Sequence, residues 1–211
     1  MQAVLHKNKI FLFAFAIWVA MASVISLCWS RNEIFFSVNQ IHNSFFDWLM
    51  TLFSALGRGD TIAITFVGLL IFPVFRTKQY LITTLLFGLL LPSVNHFSKD
   101  FFSMPRPLGE FYEHKVHTVP WLENLYFDSF PSGHTMGAFG FFLLLNYFIP
   151  QKSPLLSMVF FMLALCCGYS RIYLGQHFFA DVVAGSITGV VVSMAIIAVV
   201  NLCMQKKLSH A

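Results

Sequence analysis

The sequence predicts an all-α membrane protein, a bundle of six transmembrane helices with an interfacial helix between the first and second spans. Three observations predict it. The 211-residue chain is 57% hydrophobic and only 10% charged, with 26 phenylalanines, whereas soluble domains carry about 25% charged residues. Six apolar runs approach the roughly 20 residues that a helix needs to cross the hydrocarbon core. Lysine and arginine also gather in the short connections on one side of those runs, as they do on the cytoplasmic side of membrane proteins.

The first run, residues 10–29, follows Lys7 and Lys9 and resembles a signal peptide at first sight. It is longer than the 7–15 apolar residues of a cleaved signal, and no small-x-small site follows it, so a retained helix is expected. Residues 39–60, "NQIHNSFFDWLMTLFSALGRGD", are amphipathic and end at Gly57 and Gly59. They predict a helix lying at the interface, with a seventh crossing as the alternative. The remaining spans are expected at residues 60–75, 79–97, 133–149, 154–169 and 177–203, of which 60–75 and 154–169 are short. No internal repeat or low-complexity linker interrupts the chain, so residues 1–211 are expected to form a single domain. The four cysteines, Cys28, Cys166, Cys167 and Cys203, fall in or beside the spans without metal-ligand spacing and read as inert thiols.

Six spans put both termini on one side, with the loops at 76–78 and 151–153. That side holds Lys7, Lys9, Arg76, Lys78, Lys152, Lys206 and Lys207 and no carboxylate. The other side holds Arg31, Arg58, Lys99, Arg106, Lys115 and Arg171, together with all nine acidic residues. The short flanking loops make the first side cytoplasmic. The cations on the outer side then require a reason.

Three polar islands supply one. They are Lys99-x6-Arg106-Pro107; Pro131-Ser132-Gly133-His134; and Ser170-Arg171-x5-His177-x3-Asp181. Each sits at the outer end of an expected span. Singly, each has a bland explanation: snorkelling anchors for the cations, a helix cap for Pro131–His134, and a structural pair or two-ligand metal site for His177 and Asp181. Together they are expensive in a membrane unless they have a task. The chemistry they fit is phosphoryl transfer. Lys99, Arg106 and Arg171 would neutralise phosphate oxygens, the arginines with forked donors. Ser132 and the N–H groups of Gly133 and His134 open a helix, where free donors and the dipole favour an anion.

His177 and Asp181 are spaced i, i+4, which places them on one face of a helical turn. A carboxylate that accepts the Nδ1 proton fixes the imidazole tautomer and leaves Nε2 free to attack phosphorus. His134 is the candidate general acid for the departing oxygen. The expected course is a phosphohistidine on His177, then its hydrolysis. Neither metal nor cofactor is expected, because the cations perform the charge neutralisation.

These three motifs, complete and in this order, resemble the signatures of the type 2 phosphatidic acid phosphatase superfamily. The resemblance implies a six-helix bundle, metal-independent lipid phosphatase activity and a histidine nucleophile at His177. It also implies an integral protein of the bacterial inner membrane with a periplasmic active site. The expected partners are the bilayer and a membrane lipid phosphate, not nucleic acid. Polyprenyl diphosphate, phosphatidylglycerophosphate, phosphatidic acid and lipid A phosphates all suit such a site, with a polyprenyl diphosphate or a glycerophospholipid phosphate preferred. A lipid phosphotransferase is the alternative, a vanadate-dependent haloperoxidase is disfavoured by the apolar chain, and a non-catalytic transporter or scaffold is the remote one. Residues 108–130 join the first two motifs and are expected to form a lid that sorts lipids. Within it His114 and His117 hint at a metal, but two histidines alone are more often solvated.

Overall fold

In the computed structural model, which describes residues 2–111, 115–150 and 153–209, every regular element is helical. The described helices are α1 (Gln2–Cys28), α2 (Arg31–Asn39), α3 (Ser44–Ala55), α4 (Gly59–Leu69), α5 (Lys78–Phe102), α6 (Pro107–Glu110), α7 (Gly133–Phe148), α8 (Pro154–Tyr173) and α9 (Phe179–Ser209). Small polar side chains set several starts. Asn43, Thr77, Ser132 and Ser153 each accept a first-turn N–H of α3, α5, α7 or α8, satisfying donors that a helix cannot satisfy itself. The short α2 was not expected. Its signal is the Ser30-x-x-Glu33 pair, which forms a reciprocal capping box.

Among the described residues, four stretches are long and apolar enough to cross a membrane: Val4–Cys28, Lys78–Glu110, Pro154–Tyr173 and Phe179–Gln205. Helices α3 and α4 make a fifth if this pair, bent by 60°, counts as one broken span. The chain is an integral membrane protein. The expected interfacial helix and second span therefore appear as two short helices meeting at a bend, α4 stopping at Leu69 ahead of a 3-10 turn at Pro73–Phe75. Helix α5 runs through Pro92 to Phe102 rather than ending at residue 97, so Lys99 rides on its last turn.

Helix α7 is the centre of the bundle. Its 16 residues measure about 24 Å, short of the roughly 30 Å of a hydrocarbon core. Every side chain from Thr135 to Tyr147 is buried, so its length answers to its neighbours more than to lipid. It packs on α8 and α9, with α1, α4 and α5 against its other faces. On α9, Gly185 and Gly189 stand four apart. A Cβ at Gly189 would lie 2.3 Å from the Met136 carbonyl oxygen, and one at Gly185 would lie 2.5 Å from that of Ser132. Glycine spacing of this kind lets two backbones touch where lipid offers no hydrophobic drive to association. Phenylalanines fill the remaining space, with Phe66 meeting Phe87 and Phe141 edge to face. Away from the motif end, Asn146 donates to Asn8 at 2.7 Å, and Gln79, Tyr147 and Asn201 form a hydrogen-bonded trio.

Candidate active site

The fold gathers all three motifs at one end of the bundle. Lys99 lies in the last turn of α5, Arg106 caps α6, and Ser132, Gly133 and His134 open α7. Arg171 closes α8, His177 sits in the turn between α8 and α9, and Asp181 lies in the first turn of α9. Lys99, Arg106, Gly133, His134, Arg171 and His177 line one cavity of about 1010 Å³. Ser132 and Asp181 stand behind that wall, 0% and 3% exposed. The Ser132 hydroxyl engages Thr135, accepting its N–H and lying 2.9 Å from its Oγ1, while the Ser132 N–H donates to the Asp181 carbonyl at 3.0 Å. The second and third motifs are thereby tied together through the backbone.

The two arginines are held differently. Arg106 is 4% exposed, and its guanidinium donates to the carbonyls of Phe127, Gln176 and Asp128 at 2.8, 3.1 and 3.3 Å. Carbonyls orient the fork without cancelling its charge. Arg171, also 4% exposed, donates through Nη1 to the Ser54 hydroxyl, and among the described residues its buried Nε has no partner. Among the described residues neither arginine forms an ion pair. Two buried cations without an ion-pair partner among the described residues thus line the wall of one cavity, an arrangement that is costly unless something pairs with them.

His177 precedes α9 instead of lying on it, yet its Nδ1 still comes within 3.4 Å of Asp181 Oδ2. That carboxylate oxygen also accepts the Phe178 N–H at 2.9 Å and the Ser129 hydroxyl at 2.5 Å. On its other edge, His177 Nε2 faces Arg106 Nη1 at 3.4 Å. Burial, followed by the charges of Arg106, Arg171 and Lys99, holds the His177 imidazole well below the usual histidine range. That direction favours the neutral imidazole.

Sequence reasoning missed the contribution of the α3–α4 bend. Ser54 in the last turn of α3 anchors Arg171, and Gly57 in the bend lies against the His134 carbonyl, where a Cβ would stand only 2.1 Å from the oxygen. It also missed Gln176, whose carbonyl and side chain both meet Arg106, and Asn95, one turn before Lys99, whose amide abuts Gly133. No motif flags these residues; only the fold brings them to the cavity. His117, in the segment that joins the first two motifs, is not solvated: its Nε2 pairs with Asp47 at 2.8 Å. His114 lies outside the described residues.

Fold and site together define a helical membrane protein with a cationic, histidine-bearing pocket at one end of its bundle. The profile of the PAP2 superfamily matches residues 77–205, which contain all three motifs. The chain belongs to the PAP2 superfamily. It is similar to phosphatidylglycerophosphatase B of Bacillus subtilis (strain 168), 42% identical over 64 residues, 27% of this chain. That match spans 32% of the relative's length. The crystal structure of Aquifex aeolicus LpxE superposes with a TM-score of 0.65 at 28% identity, covering 79% of this chain and 93% of that one. A transmembrane PAP2-type phosphatidylglycerolphosphate phosphatase from Bacillus subtilis shares the fold, with a TM-score of 0.63 at 24% identity over 90% of this chain and 94% of that one.

Proposed function

We propose that the protein is a membrane lipid phosphatase that hydrolyses a lipid phosphomonoester or diphosphate through a phosphohistidine on His177. The observation that carries this reading is the unpartnered, buried Nε of Arg171, which shares a cavity with Arg106 and a neutral His177. In the first step His177 Nε2 bonds to phosphorus and the bond from phosphorus to the leaving oxygen breaks, that oxygen taking a proton from His134. In the second, a water oxygen bonds to phosphorus as the bond from phosphorus to His177 Nε2 breaks and returns its electron pair to the imidazole; the water gives a proton back to His134, and inorganic phosphate leaves. Arg106, Arg171, Lys99 and the first-turn N–H groups of α7 stabilise the charge on the equatorial oxygens in both steps. No divalent cation is required by this course, because three side-chain charges already face the phosphate.

The same cavity supports a lipid as substrate. Beyond the cationic end it continues between α4 and α5 past Ile62, Phe66, Leu85 and Leu91 as far as Leu70 and Tyr80. An acyl or prenyl chain fits that apolar trough while its phosphate rests among the arginines. A glycerophospholipid phosphate or a polyprenyl diphosphate is the substrate class we favour. In this reading α1, α4, α5, α7, α8 and α9 cross the bilayer and α3 lies at the interface, consistent with the exposed Phe45, Trp48 and Leu52. The excess of lysine and arginine in the short loops at the other end supports a periplasmic active site in a bacterial inner membrane.

The test is phosphate release from purified, detergent-solubilised protein across a panel of these lipids in the presence of a chelator. Wild-type protein should release phosphate, His177→Ala should not, Asp181→Asn should retain a small residue, and labelled phosphate should be trapped on His177. Turnover by His177→Ala at the wild-type rate refutes the mechanism. Label appearing on a lipid acceptor in place of inorganic phosphate makes the protein a phosphotransferase.

A further inference from the structure

Ser129 lies two residues before the second motif, and neither its sequence position nor the first-turn geometry of α7 gives it a task. It is 0% exposed. Its hydroxyl is 2.5 Å from Asp181 Oδ2 and 3.4 Å from His177 Nδ1, and those two atoms are themselves 3.4 Å apart. Three functional atoms thus form a closed triangle. The Ser129 N–H donates to the Met104 carbonyl at 2.9 Å, which fixes the serine to the segment between Lys99 and Arg106.

The direction of each bond follows from what each group can do. An ionised carboxylate only accepts, so the single hydroxyl proton of Ser129 goes to Asp181 Oδ2, its much shorter neighbour. The lone pairs of Ser129 Oγ then face His177 Nδ1. Both side-chain atoms that Nδ1 meets are now acceptors, the Ser129 backbone also hydrogen-bonds the ring, and all of them favour a proton on Nδ1. On the other edge of the ring, Arg106 Nη1 carries only hydrogens, so a proton on Nε2 would meet another donor at 3.4 Å. Acceptors on one edge and a donor on the other select the same tautomer, with the Nε2 lone pair turned toward the cavity. Without the hydroxyl, Asp181 Oδ2 loses its shortest bond and keeps the Phe178 N–H and the longer contact to Nδ1, so its hold on the ring is weaker.

We propose that Ser129 is a positioning residue that orients Asp181 and, through it, locks His177 in the Nδ1–H tautomer. The role rests on the phosphatase reading only for its effect on rate, since the tautomer exists with or without turnover. Replacing Ser129 with alanine removes one oxygen and leaves the backbone bond to Met104, so the fold should tolerate it. Removing a hydrogen-bond partner behind a metal-bound histidine typically costs about 10–100-fold, and a kcat loss of that order is expected for Ser129→Ala. The inhibition constant for inorganic phosphate, which meets the arginines and the start of α7, should stay within about twofold, well below the effect of a lost direct contact. Ser129→Thr, which restores the hydroxyl, should recover most of the rate.

The deciding measurement is independent of activity. In protein labelled with 15N-histidine, the His177 signals, identified by their loss in His177→Asn, should report Nδ1–H in the wild type and a mixture of tautomers in Ser129→Ala. Identical His177 signals in the two proteins overturn the assignment, as does a wild-type kcat in Ser129→Ala. Wild-type protein inactive on every lipid would instead refute the phosphatase reading, and the nitrogen shifts would still decide the serine.

Discussion

Arg171 should be a residue whose removal harms turnover without harming the fold, and replacing it with methionine separates the two. The guanidinium is 4% exposed and forms no ion pair among the described residues; its Nη1 bonds Ser54, and its Nε bonds nothing. Losing one donor to transition-state charge costs about 10²–10³ in kcat, or about 2.7–4 kcal/mol. Stability should move the other way. Leaving Ser54 without its partner costs about 1–3 kcal/mol, while an uncompensated buried cation carries a penalty of several kcal/mol that methionine lifts. The ligand-free thermal midpoint in detergent should therefore hold or rise. Inorganic phosphate at 100 times its dissociation constant stabilises the wild type by about 2.7 kcal/mol, and Arg171→Met should lose most of that gain. The assay is thermal unfolding with and without phosphate, paired with phosphate release from lipid. A variant that unfolds well below the wild type yet keeps its turnover would refute the argument and make Arg171 a structural cation.

Other expectations probe packing, orientation and selectivity. Gly189→Leu forces a side chain against the Met136 carbonyl, where even a Cβ would stand 2.3 Å away. It should destabilise by at least the roughly 1–3 kcal/mol of an overpacked core, whereas Gly88→Ala, with open space around it, should be silent in the same thermal assay. Single cysteines at Lys115 and Ser153, in a background without native cysteines, should react with an impermeant reagent from opposite sides of the membrane, Lys115→Cys from outside; the reverse pattern inverts the topology. The segment after Lys115 is clamped to α3, Trp121 stacking on Trp48 at 4.3 Å and donating to Thr51 at 3.0 Å, while Leu122, Glu123 and Leu125 line the cavity. Trp121→Ala and Glu123→Gln should change the kcat/KM ratio between two lipid phosphates and leave a soluble aryl phosphate nearly untouched; equal losses on all substrates would reduce the segment to a support.

The residues that gather at the candidate site were legible because their motifs are local and the bilayer penalises them. A lysine, two arginines, two histidines and a carboxylate at the outer ends of apolar runs have few bland explanations in combination, and helix ends bring them to one depth. The individual spans were legible to the extent that apolar runs of 20 residues exist. Helix α5 outran its expected end because Asn95, His96 and Lys99 lower the hydropathy without breaking a helix whose last turn faces a cavity. Helix α7 could be bounded from its capping serine, but composition does not reveal that it is buried on every side. A helix facing lipid and a helix facing other helices are equally apolar.

What stayed hidden is the second layer of the site, and the reason is distance along the chain. Ser54 stands 117 residues before Arg171, and Ser129 stands 52 residues before Asp181. Nothing local marks either serine, since a hydroxyl in an apolar segment usually returns its proton to a carbonyl of its own helix, as Thr51 does to Asp47. These two differ in what the fold presents to them. Ser54 meets Arg171 because α3 ends at the bend whose Gly57 closes on His134, and Ser129 meets Asp181 because the backbone of Ser132 is bonded to that of Asp181. In both cases a backbone contact at a motif residue sets the register, and the supporting side chain follows. The bend between α3 and α4 therefore serves the site directly: a straight helix through residues 56–58 would carry Ser54 away from the guanidinium and leave Arg171 buried with no partner at all.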